Sequence, residues 1–204
     1  EVNKDIFYEK AQKGFNAIGV FGEYPNLEIR LPGGHQLINA CVAIGVVEAL
    51  SLYGISVGTP AIRDGLYNTA WPGRCEVISK TPLIILDGAQ NVVSVRALKN
   101  TVKESFRYKK LILVLGTSCD KDIQGICNEI SGLADEVILT KADNPRATSP
   151  QILAGYFNSK EVHITGCTEE ARLKASSLAG KDDLILVCGS LFVVGEFRNA
   201  FQHP

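Results

Sequence analysis

The sequence lacks methionine, has one tryptophan and carries only three histidines among 204 residues. His35, His163 and His203 stand far apart, so no catalytic histidine cluster can be assembled from them. No G-x-x-x-x-G-K-[ST] segment occurs, which excludes a phosphate-binding loop of that type. There is also no block of Lys and Arg, and the net charge is -1, so neither nucleic acid nor an anionic membrane surface is predicted as a partner.

Cysteine is present six times, but no two cysteines form a C-x-x-C pair, and most stand within apolar segments. We therefore predict neither a metal site nor a disulfide framework, and we expect a reducing, cytoplasmic compartment. The apolar stretches are expected to stop short of a membrane span. With 46% hydrophobic and 21% charged residues, the composition is typical of a globular domain.

Apolar runs of strand length alternate with amphipathic patterns through the second part of the chain. Strands are predicted at 75–79, 83–86, 111–115, 137–139, 161–164 and 184–187, and helices at 92–106, 123–131, 169–178 and 191–201. A further helix is predicted to begin with Ser149 and Pro150 and to carry Ile152, Leu153, Tyr156 and Phe157. Continuous Val, Ile and Leu strands between helices predict an α/β fold whose mostly parallel sheet has helices on both faces.

The first part of the chain shows a different pattern. Short strands are predicted at 18–21 and 27–31 with a turn at Tyr24-Pro25-Asn26, followed by helices at 36–53 and 60–69. We expect residues 1–71 and 72–204 to be separate regions, the first of which contains only the last part of a domain. Because helix 36–53 is apolar on nearly every side, we expect it to pack on a partner chain or on a missing part of its domain.

Polar turns with glycine follow four of the predicted strands, at 86–91, 115–122, 140–146 and 188–190. The carboxyl ends of parallel strands meet at one edge of a sheet, where open α/β sheets bind ligands. We therefore expect Asp87, Cys119 to Asp122, Thr140 and Ser190 to lie along one rim of one sheet.

Several residues near these turns have both a functional and a structural interpretation. Asp87 can accept hydrogen bonds from ribose hydroxyls, or it can cap its own turn. Arg74, after Trp-Pro-Gly, can bind a phosphate or form a surface salt bridge. Asn91 is predicted to cap the following helix, and Asp120 and Asp122 to complement the start of another helix.

Ordered motifs give the sequence a specific likeness from about residue 27 to its end. They are Gly34-His35-Gln36-Leu37-Ile38-Asn39-Ala40, Trp71-Pro72-Gly73-Arg74-Cys75-Glu76, Leu86-Asp87-Gly88-Ala89-Gln90-Asn91, Asp120-Lys121-Asp122, Asn144-Pro145-Arg146-Ala147 and Gly189-Ser190-Leu191. In this order they resemble the C-terminal part of the folylpolyglutamate synthase and dihydrofolate synthase family, which belongs with the Mur ligases.

The resemblance implies ATP-dependent ligation. ATP would phosphorylate a carboxylate of folate or dihydropteroate, and the glutamate amine would then attack the acyl phosphate. Asn39 would contact the ATP base, Arg74 the phosphates and Asp87 the ribose, while Gln90 and Ser190 would lie on the glutamate side. The phosphate-binding loop and the Mg²⁺ ligands are expected N-terminal to this segment, so no catalytic residue is assigned here and the segment alone is expected to be inactive.

The resemblance also implies a domain division, with the end of a Mur-type ATPase domain at residues 1–71 and the C-terminal domain at 72–204. Partners would be small molecules and the missing ATPase domain, with self-association through the exposed remnant. The family has His where this chain has Gln90, and Gln cannot titrate near neutral pH. Another Mur-like ligase, which joins a different amino acid to a different acid, therefore remains an alternative, as does a non-catalytic nucleotide-binding module.

Overall fold

The computed structural model describes residues 1–158 and 160–202, so the predicted position of His203 in a tail lies outside the described residues. The chain forms two compact units, Glu1–Trp71 and Pro72–Pro204. Each unit has its own core of buried apolar side chains, and each is described separately below.

The first unit is a small antiparallel sheet with two helices. Its strands are β1 (Phe7–Lys10), β2 (Phe15–Ile18) and β3 (Glu23–Leu27), in the order β1-β2-β3, and its helices are α1 (His35–Ala49) and α2 (Thr59–Asn68). A 3₁₀ turn, Leu50–Tyr53, continues α1. The predicted helices are thus confirmed, while β1 was not predicted.

The predicted strands at 18–21 and 27–31, and the turn between them, are wrong. Tyr24, Pro25 and Asn26 lie inside β3, and the chain reverses earlier, where the Gly19 N–H donates to the Gly22 carbonyl at 2.8 Å. Proline is tolerated there because β3 is an edge strand. Asn26 adopts a left-handed φ of 57° where the β2–β3 register shifts, as expected for a bulge.

Helix α1 buries one face and exposes an apolar stripe on another. Ala40, Cys41 and Ile44 belong to the core of the first unit, whereas Ile38, Val42 and Val46 are 42%, 52% and 59% exposed. The expectation that no apolar stretch reaches membrane-span length is wrong, because the segment His35–Tyr53 is long and apolar enough by length and composition. The core helix of a soluble protein can have the same length and composition.

The second unit is a six-stranded sheet covered by five helices. The strands are β4 (Glu76–Lys80), β5 (Leu83–Leu86), β6 (Leu111–Leu115), β7 (Glu136–Leu139), β8 (Glu161–Ile164) and β9 (Leu184–Cys188), in the order β4-β5-β9-β6-β7-β8. All neighbouring pairs are parallel except β4 with β5. The helices are α3 (Val92–Ser105), α4 (Ile123–Ser131), α5 (Pro150–Ala154), α6 (Thr168–Leu178) and α7 (Leu191–Gln202).

Two apolar clusters cover the two faces of this sheet. Side chains of α3 and α4, such as Val95 and Ile126, share one cluster with alternate strand residues such as Leu113. Side chains of α6 and α7, such as Ala171 and Phe197, belong to the other. The predicted α/β class, with a mostly parallel sheet and helices on both faces, is confirmed.

Helix α5 is shorter than predicted. It begins at Pro150 after the N-cap residue Ser149, but it ends at Ala154 with Gly155 as C-cap, so Tyr156 and Phe157 follow it. Phe157 is nevertheless buried in the same cluster as Leu153. The apolar pattern therefore indicated the burial of Phe157 correctly, but the predicted end of the helix is wrong.

Candidate functional site

Four adjacent parallel strands bring the predicted polar turns to one rim. The order β5-β9-β6-β7 places Asp87, Ser190, the turn after β6 and Thr140 at the same edge of the sheet, which confirms the predicted rim. Glycine backbone forms the middle of this edge. A Cβ at Gly189 would lie 2.5 Å from the Gly116 carbonyl oxygen, and Gly189 has a φ of +98°. Only glycine fits that close approach.

Asp87 joins two loops at the rim. Its buried carboxylate accepts the Cys75 N–H through Oδ2 and the Ala89 N–H through Oδ1, each at 2.8 Å. The prediction that Asp87 caps its own turn is therefore confirmed. A carboxylate offers about four lone-pair positions, so capping of this turn and a contact with a ribose hydroxyl are compatible roles.

Arg74 stands at the top of a tight loop next to Asp87. Its neighbours Gly73 and Cys75 are buried and both left-handed, with φ of 70° and 47°, while Arg74 itself is exposed. The Gly88 N–H donates to the Gly73 carbonyl at 2.7 Å, which ties the loop to the turn after β5. Within residues 1–158 and 160–202 the Arg74 side chain makes no ion pair, so the alternative of a surface salt bridge is wrong there.

Gln90 and Ser190 lie on neighbouring turns. The Gly189 N–H donates to the Ala89 carbonyl at 2.9 Å. Gln90 directly follows Ala89, and Ser190 directly follows Gly189, so this hydrogen bond holds the two turns together next to both candidates. The Ser190 Oγ accepts the Phe192 N–H at 3.2 Å at the start of α7. Gln90 is half-buried, and its N–H donates to the Ser94 hydroxyl at 3.1 Å.

Asn39 belongs to the first unit and the other four candidates to the second. Asn39 is exposed, and its Nδ2 donates to the Gln36 Oε1 at 2.9 Å. Gln36 in turn shares a hydrogen bond of 3.0 Å with His35, so a short polar chain opens α1. The structure thus places together Arg74, Asp87, Gln90 and Ser190.

The two predicted helix caps are confirmed. Asn91 and Ser94 form a reciprocal capping box at the start of α3. Asp122 caps α4 by accepting the Gly125 N–H at 2.9 Å. Asp120 pairs with Lys121 at 3.1 Å, and the hydrogen bond from that ammonium group lowers the pKa of the Asp120 carboxyl.

Burial makes three cysteines of the second unit poor nucleophiles. Burial, with a smaller contribution from the Asp87 carboxylate, raises the pKa of the Cys75 thiol to about 12. Burial likewise raises the pKa of Cys127 to about 12 and that of Cys188 further. Because the thiolate is the reactive form, these thiols have no part in chemistry near neutral pH.

A cleft at one end of the rim was missed by the sequence analysis. It has a volume of about 650 Å³ and is lined by residues that include Lys141, Asp143, Asn144, Cys167 and Glu196. Glu196 of α7 accepts the Asp143 N–H at 2.9 Å and the Thr168 hydroxyl at 2.7 Å. Glu196 is 53 residues from Asp143, so the polar turn at 140–146 was predictable but its carboxylate partner was not.

No metal centre is formed by the part of the chain that the structure describes. There, no group of three or more His, Cys, Asp or Glu side chains is placed to hold a metal ion. His163 lies within β8, 3.7 Å from a Glu136 carboxylate oxygen, rather than at the rim.

The residues of this rim lie within a segment that matches a known family. Residues 73–191 match the family described as Mur ligase, glutamate ligase domain. The chain belongs to the Mur ligase family. The match begins at Gly73 and includes Arg74, Asp87, Gln90 and Ser190, but not Asn39.

Relatives within the Mur ligases make the likeness more specific. The chain is 34% identical over 190 residues to a probable bifunctional folylpolyglutamate synthase/dihydropteroate synthase of Haloferax volcanii, across 91% of this chain and 22% of that protein. It is 33% identical over 161 residues to a UDP-N-acetylmuramyl-tripeptide synthetase of Lactobacillus delbrueckii subsp. bulgaricus, across 74% of this chain and 31% of that protein.

A solved structure agrees with these relatives. The bifunctional folylpolyglutamate synthase/dihydrofolate synthase of Yersinia pestis, complexed with AMPPNP and Mn ion, matches with a TM-score of 0.83 and 28% identity. The match covers 98% of this chain and 47% of that one. The predicted resemblance to folylpolyglutamate and dihydrofolate synthases is thereby confirmed, and the chain spans less than half the length of these Mur ligase relatives.

Proposed function

We propose that this Mur ligase chain is the C-terminal part of an ATP-dependent ligase that joins glutamate to a carboxylate of folate or dihydropteroate. One observation carries the proposal: an exposed arginine is held beside a buried carboxylate at the carboxyl-end rim of a Mur glutamate ligase domain. Residues 1–71 would be the end of the ATPase domain and residues 72–204 the C-terminal domain. Without the phosphate-binding part, this segment would not catalyse ligation.

The rim residues have distinct tasks in this scheme. Arg74 would bind the ATP phosphates, since its planar fork suits phosphate oxygens and no ion pair within the described residues competes for it. Asp87 would accept the ribose hydroxyls, and Asn39 of the first unit would contact the base. Gln90 and Ser190 would face the incoming glutamate.

The reaction would proceed through an acyl phosphate. The substrate carboxylate attacks the γ-phosphorus of ATP, the bond to ADP breaks, and the glutamate amine then displaces phosphate from the acyl carbon. Arg74 would offset negative charge on the transferring phosphoryl group. A divalent ion, which we propose to be Mg²⁺, would supply the same kind of charge stabilisation, and the family resemblance implies that its ligands lie in the phosphate-binding part of the ATPase domain.

A ligase for a different amino acid is the second candidate. Gln90 replaces the His of the family motif, and the identity to the UDP-N-acetylmuramyl-tripeptide synthetase, 33%, is close to the 34% of the folate relative. Gln can donate and accept hydrogen bonds as a neutral imidazole does, but it cannot gain a charge near neutral pH. That difference is the feature that supports a changed preference for the amino acid.

An assay of the full-length protein separates these candidates. Purified protein is incubated with ATP, Mg²⁺, a panel of amino acids, and dihydropteroate or tetrahydrofolate, and products are identified by mass spectrometry. We expect ATP-dependent addition of glutamate to at least one pteridine. A product with another amino acid would support the second candidate, and ATP binding without any product would indicate a non-catalytic nucleotide-binding module. A cytoplasmic location is part of the same proposal and is supported by the six free cysteines.

A further inference from the structure

A second carboxylate holds the loop that carries Arg74. The Gly73 N–H donates to the Glu76 Oε2 at 2.8 Å. The other oxygen of the same carboxylate, Oε1, accepts the Arg198 Nε–H at 3.0 Å. Glu76 is the first residue of β4 and Arg198 lies on α7, so the closing helix of the unit is connected to the Arg74 loop through one side chain.

The conformation of this loop needs such support. A left-handed backbone is unfavourable for a residue with a side chain, and it persists where surrounding contacts hold it. Cys75 is in that region with a φ of 47°, directly after Arg74. Asp87 holds the loop from one side through the Cys75 N–H, and Glu76 holds it from the other through the Gly73 N–H. The two bonds flank Arg74 in the chain.

We propose that Glu76, braced by Arg198, is a positioning residue for Arg74. The inference rests on the proposed phosphate contact of Arg74. Asp87 is assigned to the ribose as well, so its substitution would mix two effects, whereas Glu76 is assigned no contact with the nucleotide. The pair is partly shielded, with side chains 31% exposed for Arg198 and 20% for Glu76, so the bracing bond forms away from bulk water.

Kinetics of the full-length ligase can test this role. Glu76→Ala should lower kcat about tenfold, the lower end of the loss seen for supporting residues behind a functional group. KM for ATP should change less than kcat. In an Arg74→Ala background the same substitution should cost less than about twofold, because residues that act through one another are not additive. Glu76→Gln keeps an oxygen for the Gly73 N–H but loses the acceptor for the Arg198 Nε–H, so it should restore part of the activity that Glu76→Ala loses.

A matched control comes from another glutamate in an ion pair. Glu129 of α4 pairs with Arg96 at 3.0 Å and its side chain is 15% exposed, but the pair lies between α3 and α4. Glu129→Ala should leave kcat unchanged. Equal losses for Glu76→Ala and Glu129→Ala would overturn the inference, as would a Glu76→Ala loss that is undiminished in the Arg74→Ala background.

Amide hydrogen exchange gives a readout that does not depend on activity. On this chain, Glu76→Ala should speed exchange of the Gly73 amide at least tenfold, while amides of β6 keep their protection. Unchanged Gly73 exchange would overturn the inference. A wild-type enzyme without ligase activity would refute the proposed function instead, and the exchange result would still decide whether Glu76 holds the loop.

Discussion

Asp87 carries two backbone hydrogen bonds in addition to the ribose contact proposed for it. Replacing it by Ala leaves two buried amides without an acceptor, and hydrogen bonds to a charged group contribute about 1.5–3 kcal/mol each. We expect Asp87→Ala to lower the free energy of unfolding by about 3 kcal/mol as well as to raise KM for ATP. Urea denaturation measures the first effect. Asp120→Ala, which removes an exposed ion pair, is the control and should have little effect.

Thiol labelling tests the burial of the cysteines. Cys119 and Cys167 are exposed, and Cys41, Cys75, Cys127 and Cys188 are buried. Burial raises the pKa of Cys75 and Cys127 to about 12, so their thiolate fraction near neutral pH is negligible. In the time that iodoacetamide modifies all six cysteines of the unfolded chain, it should therefore modify only Cys119 and Cys167 of the native chain. Rapid modification of Cys75 in the native chain would contradict the described loop.

At this scale, local signals were predictable and distant ones were not. Asn91 and Asp122 each cap a helix by accepting the backbone N–H of the residue three positions later, a spacing that the sequence shows directly. The Cys75 amide that Asp87 binds is 12 residues away, on the other side of the β4–β5 hairpin. The left-handed φ of Cys75 had no signal either, because that conformation depends on contacts that only the folded sheet provides.

The β2–β3 hairpin depends on one glutamate of α1. Glu48 is buried and accepts the Val20 N–H at 2.9 Å, the Phe21 N–H at 3.0 Å and the Tyr24 hydroxyl at 3.0 Å. Glu48→Ala should destabilise the first unit by about 3–5 kcal/mol, since three donors lose a charged acceptor. Amide exchange at Val20 and Phe21 should rise with it. Glu28→Ala removes an ion pair with Lys13 and should leave both amides protected.

The same contact gives the hairpin a pH dependence. Burial, together with the hydrogen bond to Glu48 and its charge, raises the pKa of Tyr24 from 10.0 to about 12. A raised folded-state pKa means that the stabilisation is complete below pH 10 and is lost as the pH rises from 10 towards 12. The stability difference between wild type and Tyr24→Phe should be constant up to about pH 9 and shrink above pH 10. A difference that stays constant to pH 11 would contradict the Tyr24–Glu48 contact.

Elements that are buried on both faces were the easiest to predict. β6 lies where its apolar run predicts, and β9 extends one residue beyond its predicted end, because a central parallel strand has few polar residues to blur its limits. The β2–β3 hairpin failed because Pro25 and Asn26, ordinary turn residues, occupy an edge strand and its bulge. Which strand becomes an edge is decided by tertiary pairing, which a local pattern does not contain.

At the scale of the whole molecule, α1 presents a stripe of apolar side chains to solvent. Ile38, Val42 and Val46 repeat every four residues and therefore line one face of the helix. We propose that the remainder of the ATPase domain covers this stripe in the full-length protein, and that the isolated chain self-associates through it. Sedimentation velocity should show a concentration-dependent increase in mass for the isolated chain.

Two variants decide whether that association uses the stripe. Val42→Glu should keep the chain monomeric by placing a charge on the stripe. Leu173→Glu changes an equally exposed apolar residue, 54% exposed on α6, and should not alter the association. A wild-type chain that remains monomeric at high concentration would contradict the proposal.

The central claim of the proposed function is that Arg74, at the rim, stabilises charge on the transferring phosphoryl group. The most direct test is the steady-state kinetics of Arg74→Ala in the full-length enzyme. A single charge-stabilising contact contributes about 2.7–4 kcal/mol to the transition state, so kcat should fall about 10²–10³-fold. KM for ATP should rise by much less than kcat falls, because the contact is strongest when charge develops on the transferring phosphoryl group. The melting temperature should change little, because Arg74 is exposed and makes no ion pair within the described residues. An unchanged kcat, or an early-melting variant that loses kcat and KM together, would contradict the assignment of this rim.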